Sequence, residues 1–407
     1  MKQFTGRKMC SFVISIFIFL VVVACTNNSN ETSLLRFTNF QDATLVIGQP
    51  DFNTGTLSSA SDKTLNILYG NPWVHNDVLY LPDRNNNRVL GFNSFPTSNF
   101  PSANFVLGQP DFTTSNSGTN PNQMHSPQTT QVYDGKLFLV EYSNSRVIIW
   151  NTIPTTTQTP ADLVIGWPNF DTPTYGVGQN MLYQPNSICV AGGKLFVADS
   201  DNHRVLIWNS IPSTNGQPAD IVIGQSDFSH NTENDDDQNG ISDGSPTART
   251  FDYPNDVWSD GQKLIVVDCS NHRILIWNSI PLQNFTPADV VIGQSDFISN
   301  DLETTRTGLN YPYFITSNGT QLFVCDWENH RVLIWDSIPD SNNVPADVVL
   351  GQSDFEYGAP NDDDQDGNPD PSPSARTMYE PLGLQVYNDK LIVADHQNHR
   401  YLVFQSQ

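Results

Sequence analysis

Positive charge is what this chain has least of: 19 Lys and Arg stand against 43 Asp and Glu in 407 residues, a formal net charge of -24. Such a surface repels phosphate backbones and anionic lipid headgroups, and no basic cluster offsets it, which argues against nucleic acid as a partner. Cysteine is scarce too. Beyond Cys25 only Cys189, Cys269 and Cys325 remain, an odd number, and Cys189 and Cys325 lie in strand-like runs. They read as small packing residues, not as a disulfide framework. Sustained helical periodicity is missing from everything after the N-terminal segment. So are the usual catalytic signatures: there is no phosphate-cradling G-x-x-x-x-G-K-[ST] and no zinc-binding H-E-x-x-H. "GISDG" at 240–244 matches G-x-S-x-G only as text, because Ser242 lies in an acidic loop and not on a strand, sharp turn and helix. His75 and His125 lack an evident set of partners.

Long apolar runs are absent with one exception. Lys2, Arg7 and Lys8 precede the 13 apolar-rich residues from Phe12 to Ala24, too few for the roughly 20 a membrane-spanning helix needs. The pattern is that of an export signal over 1–24. It ends in Val22-Val23-Ala24-Cys25, which resembles a bacterial lipobox. That resemblance implies cleavage before Cys25, a lipid on its sulfur, and a lipidated tether over 25–43 attached to the cell envelope, at the outer membrane or cell surface. The membrane would then be touched only through the anchor, which two or three acyl chains make stable. Loss of the three basic residues moves the formal charge from -24 to -27.

What fills the rest is repetition. "NHRVLIWNSIP" recurs almost unchanged, and its arginine returns as Arg88, Arg146, Arg204, Arg273, Arg331 and Arg400, at steps of 58, 58, 69, 58 and 69 residues. Five residues before each stands an acid (Asp83, Glu141, Asp199, Asp268, Asp326, Asp395), and four after it an aromatic. Each copy reads as four short strands, alternating β-branched and aromatic residues between Gly, Pro and Asn turns. Six such repeats predict an all-β fold, a six-bladed β-propeller over 44–407 whose blades stack because none can bury its faces alone. The last copy lacks a fourth strand, and "TLVIG" at 44–48 is a spare one. Its pairing with the last copy closes the ring and removes both sheet edges.

The unit "VADSDNHR" (197–204) and its echo "VADHQNHR" (393–400) resemble the NHL repeat family. His203, His272, His330 and His399 fill the middle position; Asn87 and Ser145 replace it in the first two copies. The resemblance implies a binding scaffold, and a monomer with a protein or glycan ligand is expected. The alternative it leaves open is a propeller enzyme, a lyase or lactonase-like hydrolase, working at the channel mouth.

Residues repeated in every blade build blades, so a ligand site should break the symmetry. The acid–arginine pairs and the histidines are therefore expected to be structural. Symmetry breaks at the residue after the proline that opens each first strand: Trp73, Gln128, Asn186, Asn255, Tyr313 and Leu382. These are expected at the channel mouth as ligand-binding residues. The two steps of 69 carry twin acidic insertions, "NDDDQNGISDGSPTART" (234–250) and "NDDDQDGNPDPSPSART" (361–377). Oxygen side chains on alternate residues before Gly240 or Gly367 suit a hard cation. Calcium is expected on Asp235, Asp237, Asn239 and Asp243, and on Asp362, Asp364, Asp366 and Asp370. The bidentate Glu of a full EF-hand loop is missing, which points to weak binding, on the order of 10⁻⁴ to 10⁻³ M. Both insertions should share one face with the NHR turns.

Overall fold

The computed structural model describes residues 34–407; the export signal and Cys25 lie outside the described residues. Six four-stranded antiparallel sheets form, one per repeat. In blade three the strands are Ser187–Ala191, Lys194–Asp199, Arg204–Trp208 and Ile221–Ile223, in that order from the axis outward. The sixth sheet is completed by Leu45–Ile47, which pairs antiparallel with the last strand, Leu45 opposite Val403 and Ile47 opposite Tyr401. The ring closes as the spare strand requires. Its start lies earlier than the expected tether boundary: Leu35 and Phe37 are buried in the cluster between blades five and six, and Phe40 N donates to Val349 O at 3.1 Å. Residues 34–43 thus pack on the propeller.

Alternation of side chains along each strand makes the blades stack. Leu195, Val197 and Leu206 of blade three join Phe138 and Val140 of blade two in one cluster, whereas Phe196, Ala198 and Val205 face Val257 and Val266 of blade four in another. Burying such an aliphatic or aromatic side chain contributes about 1.5–3 kcal/mol. The three cysteines are buried free thiols within this packing.

The repeated polar residues join blade to blade. Arg204 and Asp199 are fully buried, Nε to Oδ2 2.8 Å. The guanidinium also donates to Gly178 O and Met181 O on the link before the blade, and to Phe228 O on the link after it. The other Asp199 oxygen accepts Tyr183 N at 2.7 Å, so one ion pair ties two links to one turn. The histidine is a latch. His203 Nδ1 accepts Tyr253 N of the next blade at 3.1 Å, and His272, His330 and His399 likewise accept Tyr311 N, Glu380 N and Ile67 N. The two substitutions keep the chemistry: Asn87 Oδ1 accepts Ser126 N and Ser145 Oγ accepts Gln184 N. All six latched residues are left-handed, φ 47° to 57°, a conformation that costs about 1–3 kcal/mol in a non-glycine residue and persists only when held from outside. An Nδ1 that accepts must carry no proton, and burial pushes His272 and His330 down to about 4.

Candidate functional site

The axial channel is plugged, and its plug is asymmetric. In blades two, four, five and six the first strand bulges near its start. A bulge leaves backbone donors out of the ladder, and here several turn to the axis. Asp256 receives them. Its Oδ2 accepts Ile315 N at 2.7 Å and Asn71 Nδ2 at 3.0 Å; its Oδ1 accepts Val257 N at 2.8 Å and the Ser187 hydroxyl. Asn71 completes the circuit, its side-chain oxygen accepting Leu384 N at 2.8 Å and its backbone oxygen accepting Thr130 N at 3.1 Å. This hub touches all six blades. Burial raises Asp256 to about 7 against the pull of its four donors. Those donors engage both oxygens, so the carboxylate is a node that ties the blades together at the axis.

Above the hub lies the ring expected at the mouth. Gln128, Asn186, Asn255 and Leu382 are buried to 1% exposure or less; they form an inner layer below the mouth. Asn186 Nδ2 donates to Asn255 Oδ1 at 2.5 Å. Trp73 is not in this layer. In every blade the acid accepts the amide two residues before the ring's proline, and in blade one that amide is Asn66. Leu68 therefore stands where the other blades have proline, and the ring residue is Tyr69, whose ring meets Tyr313 edge-on at 5.4 Å. Pro72 is a coincidence that shifts Trp73 four residues along, to the far end of the strand opposite Tyr80.

The mouth itself is built by residues that follow each repeated acid, which sequence spacing could have flagged as a second asymmetric ring: Arg84, Tyr142, Ser200, Cys269, Trp327 and His396. Arg84 packs between Tyr69 and Tyr142, 4.4 and 5.0 Å from their ring centres, and has no carboxylate partner among the described residues. Tyr142 and Tyr253 hydroxyls lie 3.2 Å apart. Acids stand around them. Burial pushes Asp201 up to about 6, and Glu328 is raised by burial and by the charge of Glu380.

The twin insertions lie on this same face, as expected: Asn234 and Asn271, and Asn361 and Asn398, exchange side-chain amide bonds between insertion and NHR turn. In each loop three of the four expected ligands converge. Carboxylate oxygens of Asp235, Asp237 and Asp243 lie within 4.8 Å of one another, as do those of Asp362, Asp364 and Asp370. Asn239 and Asp366, beside Asp237 and Asp364, also accept turn amides, Ile241 N and Asn368 N, each at 2.8 Å. Gly240 and Gly367 take φ 85° and 86°. The intervening acids are not ligands: Asp236 and Asp363 pair with Arg249 and Arg376 of the "ART" exit. No basic side chain among the described residues pairs with the trios, and Asp364 is raised chiefly by the charge of Asp366.

A family model described as the NHL repeat matches residues 182–208, the segment holding the acid, latch histidine and arginine of blade three. Blade three of this six-bladed propeller thus matches the NHL repeat. No curated protein sequence matches it. Similar solved structures include the WD40 β-propeller domain of Doa1 (11% identity, 92% of this chain and 95% of that one, TM-score 0.44). Virginiamycin B lyase from Staphylococcus aureus is another (12%, 86% and 97%, TM-score 0.39). A third is a nidogen/laminin complex (15%, 70% and 83%, TM-score 0.37). Two histidines that no blade repeats lie apart in this propeller. His75 contacts Asn76 at a hairpin of the lower end, while His125 lies at the upper mouth, held down by burial and by the Arg84 charge.

Proposed function

We propose that this protein is a lipid-anchored cell-envelope scaffold whose turn face binds a basic segment of a protein partner, with calcium stiffening the two acidic loops beside it. One observation carries the reading: around a plugged mouth, half-buried tyrosines stand among acids that have no Lys or Arg partner among the described residues. Asp201 interacts with Tyr142 and Tyr253, Glu328 with Glu380, and Glu380 lies 4.0 Å from His396, whose burial disfavours its charged form. A guanidinium or ammonium would relieve their repulsion and face the rings, a contact worth about 0.5–2 kcal/mol each. Arg84 between Tyr69 and Tyr142 is an internal example of that bed. Calcium in either trio would join three carboxylates that otherwise repel, with water or distant oxygens completing the 6–8 ligands it takes.

An anchor at Cys25 suits this face. The described chain begins at the lower rim, where Leu35 N donates to Gln321 Oε1 beside the first hairpin of blade five, at the opposite end from the turn face. The test is calorimetric titration of the mature domain with arginine- and lysine-rich peptides and with their neutral counterparts. Binding that weakens with salt, and about tenfold more in the combined Asp201→Asn, Glu328→Gln, Glu380→Gln variant, supports the reading. Equal binding of neutral peptides, or capture of glycans alone on this face, overturns it.

A further inference from the structure

The other end of the channel holds a cavity of its own, of about 140 Å³, floored by Asn71 and the strand segments beside Asp256. One position per blade rings it, the first-strand residue that pairs with the second-strand residue seven positions further along the chain. Trp73 opposes Tyr80, and its counterparts Gln131, Cys189, Trp258, Thr316 and Gln385 oppose Phe138, Phe196, Ile265, Phe323 and Ile392. In a repeat protein whose acid, arginine and latch positions keep their chemistry, this ring does not. Its two tryptophans come from blades one and four, which face each other across a ring of six.

The lining is as informative for what it omits. In a chain of net charge -24, no Asp, Glu, Lys or Arg side chain lines the cavity; indoles, hydroxyls and amides do. Thr316 is 6% exposed, yet its hydroxyl has no hydrogen-bond partner among the described residues, and neither indole N–H has one. Cys189 contributes no reactivity, because burial raises its thiol to about 12.

These features select a ligand by elimination. An anion would find no cation here, and a cation would find only Asp256, whose oxygens are already engaged. A purely apolar ligand would strand the hydroxyl and amide groups, a desolvation cost its contacts do not return. A neutral hydroxylated ring meets each demand: its C–H faces lie on the indoles, and its hydroxyls reach Thr316, Gln385 and the indole N–H groups. We infer that the lower mouth is a binding site for one neutral saccharide residue, free or as the exposed end of a longer chain. The inference does not rest on the basic-partner reading, which concerns the opposite face.

The experiment is tryptophan-fluorescence and calorimetric titration of the mature domain with neutral pyranoses and their N-acetyl derivatives, alongside the matching uronates and amino sugars. Saturable binding of at least one neutral sugar is expected in the millimolar range, weakened about tenfold or more by Trp73→Ala and by Trp258→Ala. Because an indole deletion can disturb packing, Thr316→Val provides a second probe that keeps shape and removes one hydroxyl. It should weaken binding severalfold while leaving the melting temperature unchanged. Glu380→Gln, on the far face, should leave sugar binding as it was. Absence of saturable binding across the neutral panel overturns the inference. So does binding of a uronate or amino sugar as tight as its neutral parent, or equal affinity in the three lower-mouth variants.

Discussion

The two ends of one channel differ in kind. At the upper end the side chains are layered inward, from the Arg84–Tyr142–Trp327 mouth through Tyr69, Gln128 and Asn255 to the Asp256 hub, and acids crowd the rim. At the lower end the same strands open into a small uncharged cavity between two tryptophans. Both ends are made from the same six strands, so the difference cannot come from the fold. It comes from positions that the repeat leaves free. The acid, arginine and latch positions keep their chemistry because each holds two blades together; the axial positions diverge because they meet only at the centre.

The largest effect expected is on the shared frame. Arg204→Ala would strand Asp199 in a fully buried site and free two links, and should cost about 3–5 kcal/mol, read as a lowered denaturation midpoint with both ends affected alike. Asp256→Ala removes the acceptor for four donors contributed by blades one, three, four and five. A loss of about 3 kcal/mol is expected, together with altered fluorescence of Trp73 and Trp258, since the cavity floor is the hub.

Smaller effects separate the turn face from the lower end. The latch histidines ordinarily titrate near 6.5, while His272 and His330 are held down to about 4 in the folded ring. Between those values the unfolded chain binds protons that the folded ring excludes. The latch contribution is therefore full above about pH 6.5 and lost as pH falls toward 4. His272→Asn with His330→Asn copies what Asn87 already does in blade one and should flatten that slope in thermal melts taken across the window. A slope unchanged by the pair would mean other groups carry it. Calcium should act on the turn face alone: at millimolar concentrations it should raise the melting temperature by a few degrees, through preferential binding to the folded loops. Asp237→Ala with Asp364→Ala should abolish the rise, and an identical rise in that variant would contradict the site.

Much of this was legible in the residues. Spacing of the acid, arginine and aromatic residues specified six blades, and the spare strand at 44–48 specified closure, because local periodicity and edge pairing are short-range rules. The twin loops were readable as far as Asp235, Asp237 and Asp243 and their counterparts; that Asn239 and Asp366 also accept turn amides depends on loop geometry. The axial ring does surround the axis in five blades, but beneath the mouth where it was expected, and it is displaced in the first, where Leu68 replaces the expected proline and Pro72 imitates it. The hub could not be read at all. Asn71 and Asp256 are 185 residues apart and belong to no repeated position, so only ring closure brings them together. The lower ring left a faint signal, Trp73 and Trp258 each ten residues before the repeated acid of their blade.

The account stands or falls on whether the hub separates two independent sites. The direct measurement is a titration of the mature domain with the tightest neutral sugar in the presence and absence of a saturating basic peptide. The account predicts the same sugar affinity in both, with both ligands bound to one molecule. Competition between them, or binding of only one class of ligand, would contradict it.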